Sequence, residues 1–244
     1  MTADGSLRER LVEVGVEMLD AEGLGALGLR AIARRAGVSH GAPRRYFPTH
    51  AALLAAIAGE GLSDLSSRFD RVLSTSSPAP DSTGVTFGAS VAADRAVRVG
   101  IEYVRFARER PGMFELMFRH DLLVGSGENL RSRSLPMVEH WTGLVAAVLA
   151  ERAAGPPAEG PRAGGPPAGG LVVAGSGVDD PPPTGSERAR RQALLAWTHL
   201  HGIAVLAARH SLDLVTGSSD PTDMVVEALG AHLFAGPGAE AVGW

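Results

Sequence analysis

Two short patterns near the N-terminus carry residue types that enzymes use. Residues 37–41 read GVSHG, which fits the G-x-S-x-G turn where a serine hydrolase exposes its nucleophile after a buried strand. Residues 23–28 read GLGALG, which fits the G-x-G-x-x-G loop of dinucleotide-binding proteins. Each pattern indicates an enzyme site only if a β-strand comes directly before it.

The residues around both patterns do not favour a strand. Residues 29–36 contain three arginines at helical spacing, and residues 7–19 have the spacing of an amphipathic helix. No acidic residue lies between Glu22 and Glu60, so the dinucleotide loop lacks its ribose-binding acid. We therefore interpret both patterns as turns between helices, with Ser39 as an N-cap. A serine hydrolase that uses Ser39 is kept as the alternative.

Metal and thiol chemistry find little support in the sequence. The chain has no cysteine, which excludes disulfides, thiolate metal sites and cysteine nucleophiles. His199 and His201 would point about 200° apart on a helix, so they cannot share one ion. Since no pair of carboxylates accompanies them, we predict neither a metal site nor a cofactor.

Positive charge is concentrated in one part of an acidic chain. The net charge is −4, yet the stretch between Glu22 and Glu60 carries only basic ionisable side chains. These side chains are Arg30, Arg34, Arg35, His40, Arg44, Arg45 and His50. A basic patch without counter-charge is the electrostatic signature of nucleic-acid binding.

Apolar residues recur at helical spacing over most of the chain, which predicts an all-α fold. Residues 153–185 are rich in proline and glycine and are predicted to be a flexible insertion, and residues 74–88 a linker. No signal peptide or membrane span is recognisable, so we expect a cytoplasmic protein. The predicted helices cover residues 7–19, 29–36, 40–46, 50–72, 89–110, 111–118, 134–152, 186–209 and 221–234.

A family resemblance rests on residues 32–48, which read IARRAGVSHGAPRRYFP. This segment resembles the DNA-binding domain of the tetracycline-repressor (TetR) family. Residues 111–118 (PGMFELMF) and 197–202 (WTHLHG) are similar to the P-G-x-F-x-x-M-F and W-x-x-x-H-G patterns of one subgroup. The resemblance implies a three-helix DNA-binding domain over residues 7–68, with a helix-turn-helix at about 28–47. It also implies an effector-binding and dimerisation domain over residues 89–235.

The resemblance further implies that the partner is double-stranded DNA, and it implies which residues meet the duplex. Arg44 occupies a position where the family usually has a phosphate-contacting tyrosine. At the start of the fourth helix, His50 replaces the usual lysine. At the cap of the second helix, Gly28 replaces the usual threonine. Small residues such as Gly41 and Ala42 let the recognition helix approach the duplex, and arginines can bind phosphate or guanine. The predicted DNA contacts are Arg30, Ser39, His40, Gly41, Ala42, Arg44, Arg45, Tyr46 and His50.

An effector site is expected in the C-terminal domain, where large apolar side chains surround a few polar groups. Its predicted residues are Tyr103, Phe106, Phe114, Met117, Phe118, Trp141, Trp197, Thr198 and His201. The sequence thus predicts a homodimeric repressor that a small hydrophobic compound releases from a palindromic operator. The helices around Trp197 and Val225 are expected to expose apolar faces for dimerisation. A helical small-molecule-binding protein with a degenerate DNA-binding domain remains the other alternative.

Overall fold

The computed structural model describes residues 3–74, 90–154, 184–212 and 220–234, with the backbone only at residues 3–6 and 234. All regular secondary structure in these ranges is helical, as the sequence predicts. Within these ranges, no helix is long and apolar enough to cross a membrane.

Ten α-helices form the described part of the chain: nine correspond to the predicted ones, and the short helix His120–Leu123 was not predicted. A 3₁₀ turn, Leu24–Ala26, follows the first helix, and a π-helical turn, Gly230–Phe234, continues the last helix. The predicted linker and insertion lie outside the described residues except at their ends, where the helices Arg131–Ala154 and Gly185–Ala208 extend slightly into the insertion. The helices are α1 (Ala3–Glu22), α2 (Leu29–Arg35), α3 (Pro43–Tyr46), α4 (His50–Ser74), α5 (Val91–Glu109), α6 (Pro111–Phe118), α7 (His120–Leu123), α8 (Arg131–Ala154), α9 (Gly185–Ala208) and α10 (Pro221–Leu229).

Side-chain caps set the beginnings of the longer helices. The hydroxyl of Thr49 accepts a hydrogen bond from the Ala52 backbone N–H at 3.0 Å, which confirms the predicted cap of α4. Thr184 and Glu187 form a capping box at the start of α9. Asp220 caps α10, and Pro221 occupies the first helical position as predicted.

The third helix is shorter than predicted. It begins at Pro43 rather than at about residue 40, because Ser39 to Ala42 form a turn in which the Ala42 N–H donates to the Ser39 carbonyl at 3.0 Å. The prediction that Ser39 caps this helix is therefore wrong: Ala42 is the N-cap, and no side chain bonds there. Gly37, at φ +69°, ends the preceding helix as its position predicts.

Helix α5 lies at the centre of the C-terminal domain. It contacts α4, α6, α8, α9 and α10. Its Gly100 allows α10 to approach closely, since a Cβ there would lie 3.0 Å from Val225 Cγ1. Val225 is consequently fully buried, so the predicted apolar surface around Val225 is wrong. Around Trp197, in contrast, α9 exposes Leu194, Leu195 and Leu206, as predicted.

Candidate DNA-binding surface and effector site

The turn between α2 and α3 presents polar and basic residues to solvent. Ser39, His40 and Gly41 are exposed, and so are Arg44 and Arg45 on α3. Because α2 leads into this turn where a hydrolase needs a strand, the structure contradicts the serine-hydrolase alternative.

Buried residues on either side hold α3 in place. Pro43 and Phe47 lie in the core, and Phe47 is fully buried. Among the other predicted contacts, Ala42 and Tyr46 are half-buried. The anchored helix therefore turns its two consecutive arginines outward, where a duplex could reach them.

The positive surface extends to both sides of this turn, with one exception. Arg30 and Arg34 are exposed on α2, but Arg35 Nη1 pairs with Glu22 Oε1 at 2.5 Å. Glu22, at the end of α1, thus supplies a counter-charge that the sequence interpretation did not include. His50 contacts the Leu27 carbonyl oxygen through Nε2, which ties the start of α4 to the segment before α2.

Ion pairs connect the DNA-binding domain to the C-terminal domain. Arg110, between α5 and α6, lies 2.7 Å from Asp20 Oδ2 on α1 through Nη2 and 2.8 Å from Asp64 Oδ2 on α4 through Nη1. Arg8 reaches Glu128 at 3.0 Å while its guanidinium lies over the Phe47 ring, 5.2 Å from the centroid. Sequence reasoning missed these contacts, since the paired residues lie far apart in the chain and no local pattern indicates them.

Helix α6 is wedged between the two domains through close glycine contacts. A Cβ at Gly112 would lie 3.0 Å from the Leu19 carbonyl oxygen of α1. A Cβ at Gly61 on α4 would lie 2.5 Å from Met113 Sδ and 2.9 Å from Met117 Sδ. Helix α6 therefore packs directly on both α1 and α4.

Five of the predicted effector residues form a contiguous aromatic cluster, which consists of Tyr103, Phe114, Phe118, Trp197 and His201. The Tyr103 hydroxyl lies 2.9 Å from His201 Nδ1. Trp197 stacks on the His201 ring at a centroid distance of 5.0 Å. Phe118 contacts the same His201 ring edge-on, at a centroid distance of 4.5 Å. Phe118 is 40% exposed, so the cluster reaches the protein surface.

Burial controls the ionisation of the two polar groups in the cluster. It lowers the pKa of His201, because the charged imidazolium is disfavoured among aromatic rings. Burial also raises the pKa of Tyr103, which keeps the phenol protonated. His201 Nε2 has no hydrogen-bond partner among the described residues, so the cluster holds a neutral imidazole with one ring nitrogen available to a ligand.

The other four predicted effector residues lie apart from His201. Phe106 is buried beneath the Arg68 guanidinium, 5.2 Å from its ring centroid. Trp141 donates its indole N–H to the Ala193 carbonyl at 2.9 Å, which joins α8 to α9. Thr198 is exposed and donates to the Leu194 carbonyl of its own helix, and Met117 packs towards Gly61.

Comparison with protein families identifies both domains. Residues 96–232, more than half of the 244-residue chain, match the tetracyclin repressor-like C-terminal domain. Residues 11–57 match the bacterial regulatory proteins of the tetR family. The chain belongs to the TetR family. It is accordingly a helix-turn-helix transcription regulator, and this membership assigns it to DNA-binding proteins rather than to enzymes.

Solved structures show the same fold. A protein of unknown function from Rhodococcus sp. RHA1 shares 27% identity at a TM-score of 0.61, with 93% of each chain covered. A tetR-family transcriptional regulator from Streptomyces coelicolor shares 16% identity at a TM-score of 0.53, with 95% of this TetR-family chain and 80% of that one covered. The FadR regulator of Bacillus subtilis, in complex with stearoyl-CoA, shares 12% identity at a TM-score of 0.52, with 93% and 97% covered. Curated protein sequences give no match.

Proposed function

We propose that this TetR-family protein is a homodimeric repressor that leaves a palindromic operator when a small hydrophobic effector binds. Such a protein acts on DNA in the cytoplasm. The observation that carries the DNA-binding part is the anchored helix α3, whose Arg44 and Arg45 are exposed beside a surface with few counter-charges. The proposed DNA-binding domain covers residues 7–68, and the proposed effector and dimerisation domain covers residues 89–235.

Each group of predicted DNA contacts has a distinct role in this proposal. The exposed turn at Ser39, His40 and Gly41 enters the major groove first, since the small Gly41 and Ala42 leave the backbone accessible. Arg44 binds phosphate and sets the register, and Arg45 reads base edges, for which guanine O6 and N7 are the preferred acceptors. Arg30 and His50 bind flanking phosphates, and Ala42 and Tyr46 support the turn.

An exposed apolar stripe supports dimerisation through α8 and α9. Leu194 is 61% exposed on α9, and Leu195, at 47%, shares a face of this helix with Leu206, at 44%. Val138, on the neighbouring helix α8, is 57% exposed. Large exposed apolar side chains on neighbouring long helices mark an interaction surface, and a two-fold axis there would present two α3 helices to a palindrome.

The aromatic cluster supports effector binding by displacement of rings. Phe118, its most exposed member, sits at the end of α6, so a ligand that moves this ring also moves α6. His201 Nε2 offers one polar contact within an otherwise apolar site. Since α6 touches Leu19 and Gly61, the displacement would shift α1 and α4 and change the spacing of the two DNA-binding domains.

Salt dependence tests the assigned DNA surface. Arginines on phosphates release counterions, so the logarithm of the affinity for a duplex should fall linearly with the logarithm of salt concentration. Arg44→Gln should reduce that slope by about one, and Arg45→Gln should reduce discrimination between sequences by about 1–3 kcal/mol. Arg95→Gln, an exposed arginine on α5, is the matched control.

Two results would contradict this surface. One is duplex binding that does not respond to salt, and the other is binding that survives the double variant Arg44→Glu, Arg45→Glu. Either result would favour a helical small-molecule-binding protein with a degenerate DNA-binding domain.

A further inference from the structure

The aromatic cluster has a buried base and an accessible edge. Tyr103 and Phe114 form the base, and both are buried. Phe118 is exposed, and Trp197 and His201 are half-buried. A ligand can therefore touch Phe118, Trp197 and His201 from the surface without entering the core.

The two accessible aromatic rings stand at a spacing that suits a flat molecule. The centroids of Phe118 and Trp197 lie 6.3 Å apart, and the ring planes are inclined by 45°. A flat ring held between two others needs about 3.5 Å on each side, or about 7 Å in all. Phe118 is the last residue of α6 and is exposed, so an outward movement of less than about 1 Å with a rotation of its ring makes this room. Aromatic faces on both sides favour a planar aromatic ligand over a flexible chain.

The hydrogen bonds of Tyr103 determine which nitrogen of His201 carries the proton. The Trp197 side chain hydrogen-bonds to the Tyr103 hydroxyl, and an indole N–H can only donate. Burial raises the pKa of this hydroxyl, so it keeps its own proton. Among the described residues, the acceptor bonded to it is His201 Nδ1, at 2.9 Å. Since Nδ1 accepts this bond, the neutral imidazole carries its proton on Nε2.

The Nε2–H group of His201 is a donor that the protein itself does not use. It has no hydrogen bond in the described part of the chain. It is also absent from the buried side-chain atoms that lack a partner there, so it is in contact with solvent. A ligand that covers this group must supply an acceptor, because a donor that loses its water without a new partner weakens binding.

The cluster contains no ionised side chain. Burial lowers the pKa of His201, which keeps the imidazole neutral, and the Tyr103 phenol is neutral as well. Arg119, the residue after Phe118, already pairs with Glu115 and Asp121. An ion bound between the rings would lose hydration without gaining a counter-charge, so the site favours a neutral ligand.

We propose that the cluster selects a neutral, planar bicyclic ligand that carries a hydrogen-bond acceptor. The ligand lies between Phe118 and Trp197, and its acceptor receives the Nε2–H of His201. The inference rests on the proposed effector site and names the chemical class of effector that this site takes. A bicyclic ring that can only donate fits the same gap but leaves Nε2–H without a partner.

Quinoline and indole test this class, because both are flat bicyclic rings of similar size with one nitrogen. The quinoline nitrogen only accepts, whereas the indole N–H only donates. Calorimetry on the full chain at about pH 8, where His201 is neutral, should show quinoline binding at least about fivefold more tightly than indole. His201→Phe keeps a ring but removes the donor, and it should abolish this preference. His140→Phe, the same substitution at an exposed position on α8, should retain it.

Nitrogen-15 magnetic resonance of the His201 ring reads the position of the proton in the wild type, without any ligand or variant. We expect the proton on Nε2. The proposal is overturned if the proton is on Nδ1, if quinoline does not bind at millimolar concentration, or if indole binds as tightly as quinoline. It is also overturned if the preference survives in His201→Phe while thermal unfolding shows that variant to be folded.

Release of DNA separates this inference from the proposed function. Quinoline that binds with the expected preference and weakens the binding of a selected duplex would support both. Quinoline that binds with this preference but leaves the duplex affinity unchanged would support the ligand class and contradict the effector role. The arginines of α3 test DNA binding independently of either outcome.

Discussion

The carbonyl oxygen of Leu19 lies 3.0 Å from the position that a Cβ would take at Gly112. Helix α6 therefore rests on the last turn of α1 through a glycine, where an added methyl group would force its neighbours to move. This contact, with the Arg110 ion pairs beside it, makes the junction between the two domains tight. It also explains how a movement of α6 would reach the DNA-binding domain.

Gly112→Ala should destabilise the protein by about 1–3 kcal/mol, because the new methyl group forces α6 away from α1. The measurement is the free energy of unfolding in urea. The matched control is Gly143→Ala on α8, where nothing lies within 4 Å of the added Cβ. That variant should be more stable by about 0.5–1 kcal/mol, because alanine favours a helix over glycine. Equal effects of the two substitutions would show that α6 does not press on Leu19.

Tyr103→Phe should lower the free energy of unfolding by about 1–2 kcal/mol. The substitution keeps the ring and removes the hydroxyl that bonds His201 Nδ1 at 2.9 Å, so a half-buried ring nitrogen loses its partner. Urea unfolding measures the loss, and nuclear magnetic resonance of the His201 ring protons should shift in the same variant. An unchanged stability together with an unchanged His201 spectrum would show that the two side chains do not bond in solution.

Stability should decrease as the pH falls below about 6.5. Burial lowers the pKa of His201 and of His232 below the ordinary value of 6.5, and the neighbouring His199 lowers that of His232 further. Unfolded histidines therefore take up protons at a higher pH than folded ones, which favours the unfolded state in acid.

Unfolding measured between pH 5 and 8 should reveal this loss, and the variant His201→Gln, His232→Gln should show a flatter dependence. The exposed His140 supplies the control substitution, His140→Gln. A wild-type stability that rises on acidification through pH 6.5 would contradict the buried neutral histidines.

The exposed stripe on α9 predicts the oligomeric state. Light scattering of the wild type at micromolar concentration should report twice the chain mass of 25.3 kDa. Leu194→Arg should produce monomers, because it places a charge in an apolar interface. Val124→Arg changes a side chain that is equally exposed, at 61%, but lies before α8, and it should remain dimeric. A monomeric wild type, or a dimer that Leu194→Arg leaves intact, would place the interface elsewhere or remove it.

The sequence was sufficient for the all-α fold and for the helix-turn-helix. Local signals determine these features: Thr49 and Asp220 cap their helices, and Gly37 ends α2. The predicted start of α3 was wrong because a helix and a tight turn at residues 39–42 satisfy the same local pattern. Val225 was wrongly placed on the surface, since only the approach of α10 to Gly100 buries it.

Contacts between distant segments were beyond the reach of sequence patterns. Arg110 bonds Asp20, ninety residues earlier, and nothing near either residue in the chain indicates the pair. The aromatic cluster was easier to predict from the sequence, because five of the nine predicted effector residues do lie together, His201 among them. Phe106 and Trp141 belong to other contacts, with Arg68 and Ala193, that depend on how the helices pack.

Selection from a pool of random duplexes tests the central claim most directly. The dimer should enrich a two-fold symmetric site, and its affinity for that site should exceed the affinity for a scrambled duplex by at least about a thousandfold at physiological salt. Arg95→Gln should select the same site, and Arg45→Gln should lose preference at symmetric positions in both halves. If the wild type enriches no sequence, or enriches one that Arg45→Gln binds equally well, then α3 is not the recognition helix of a DNA-binding regulator.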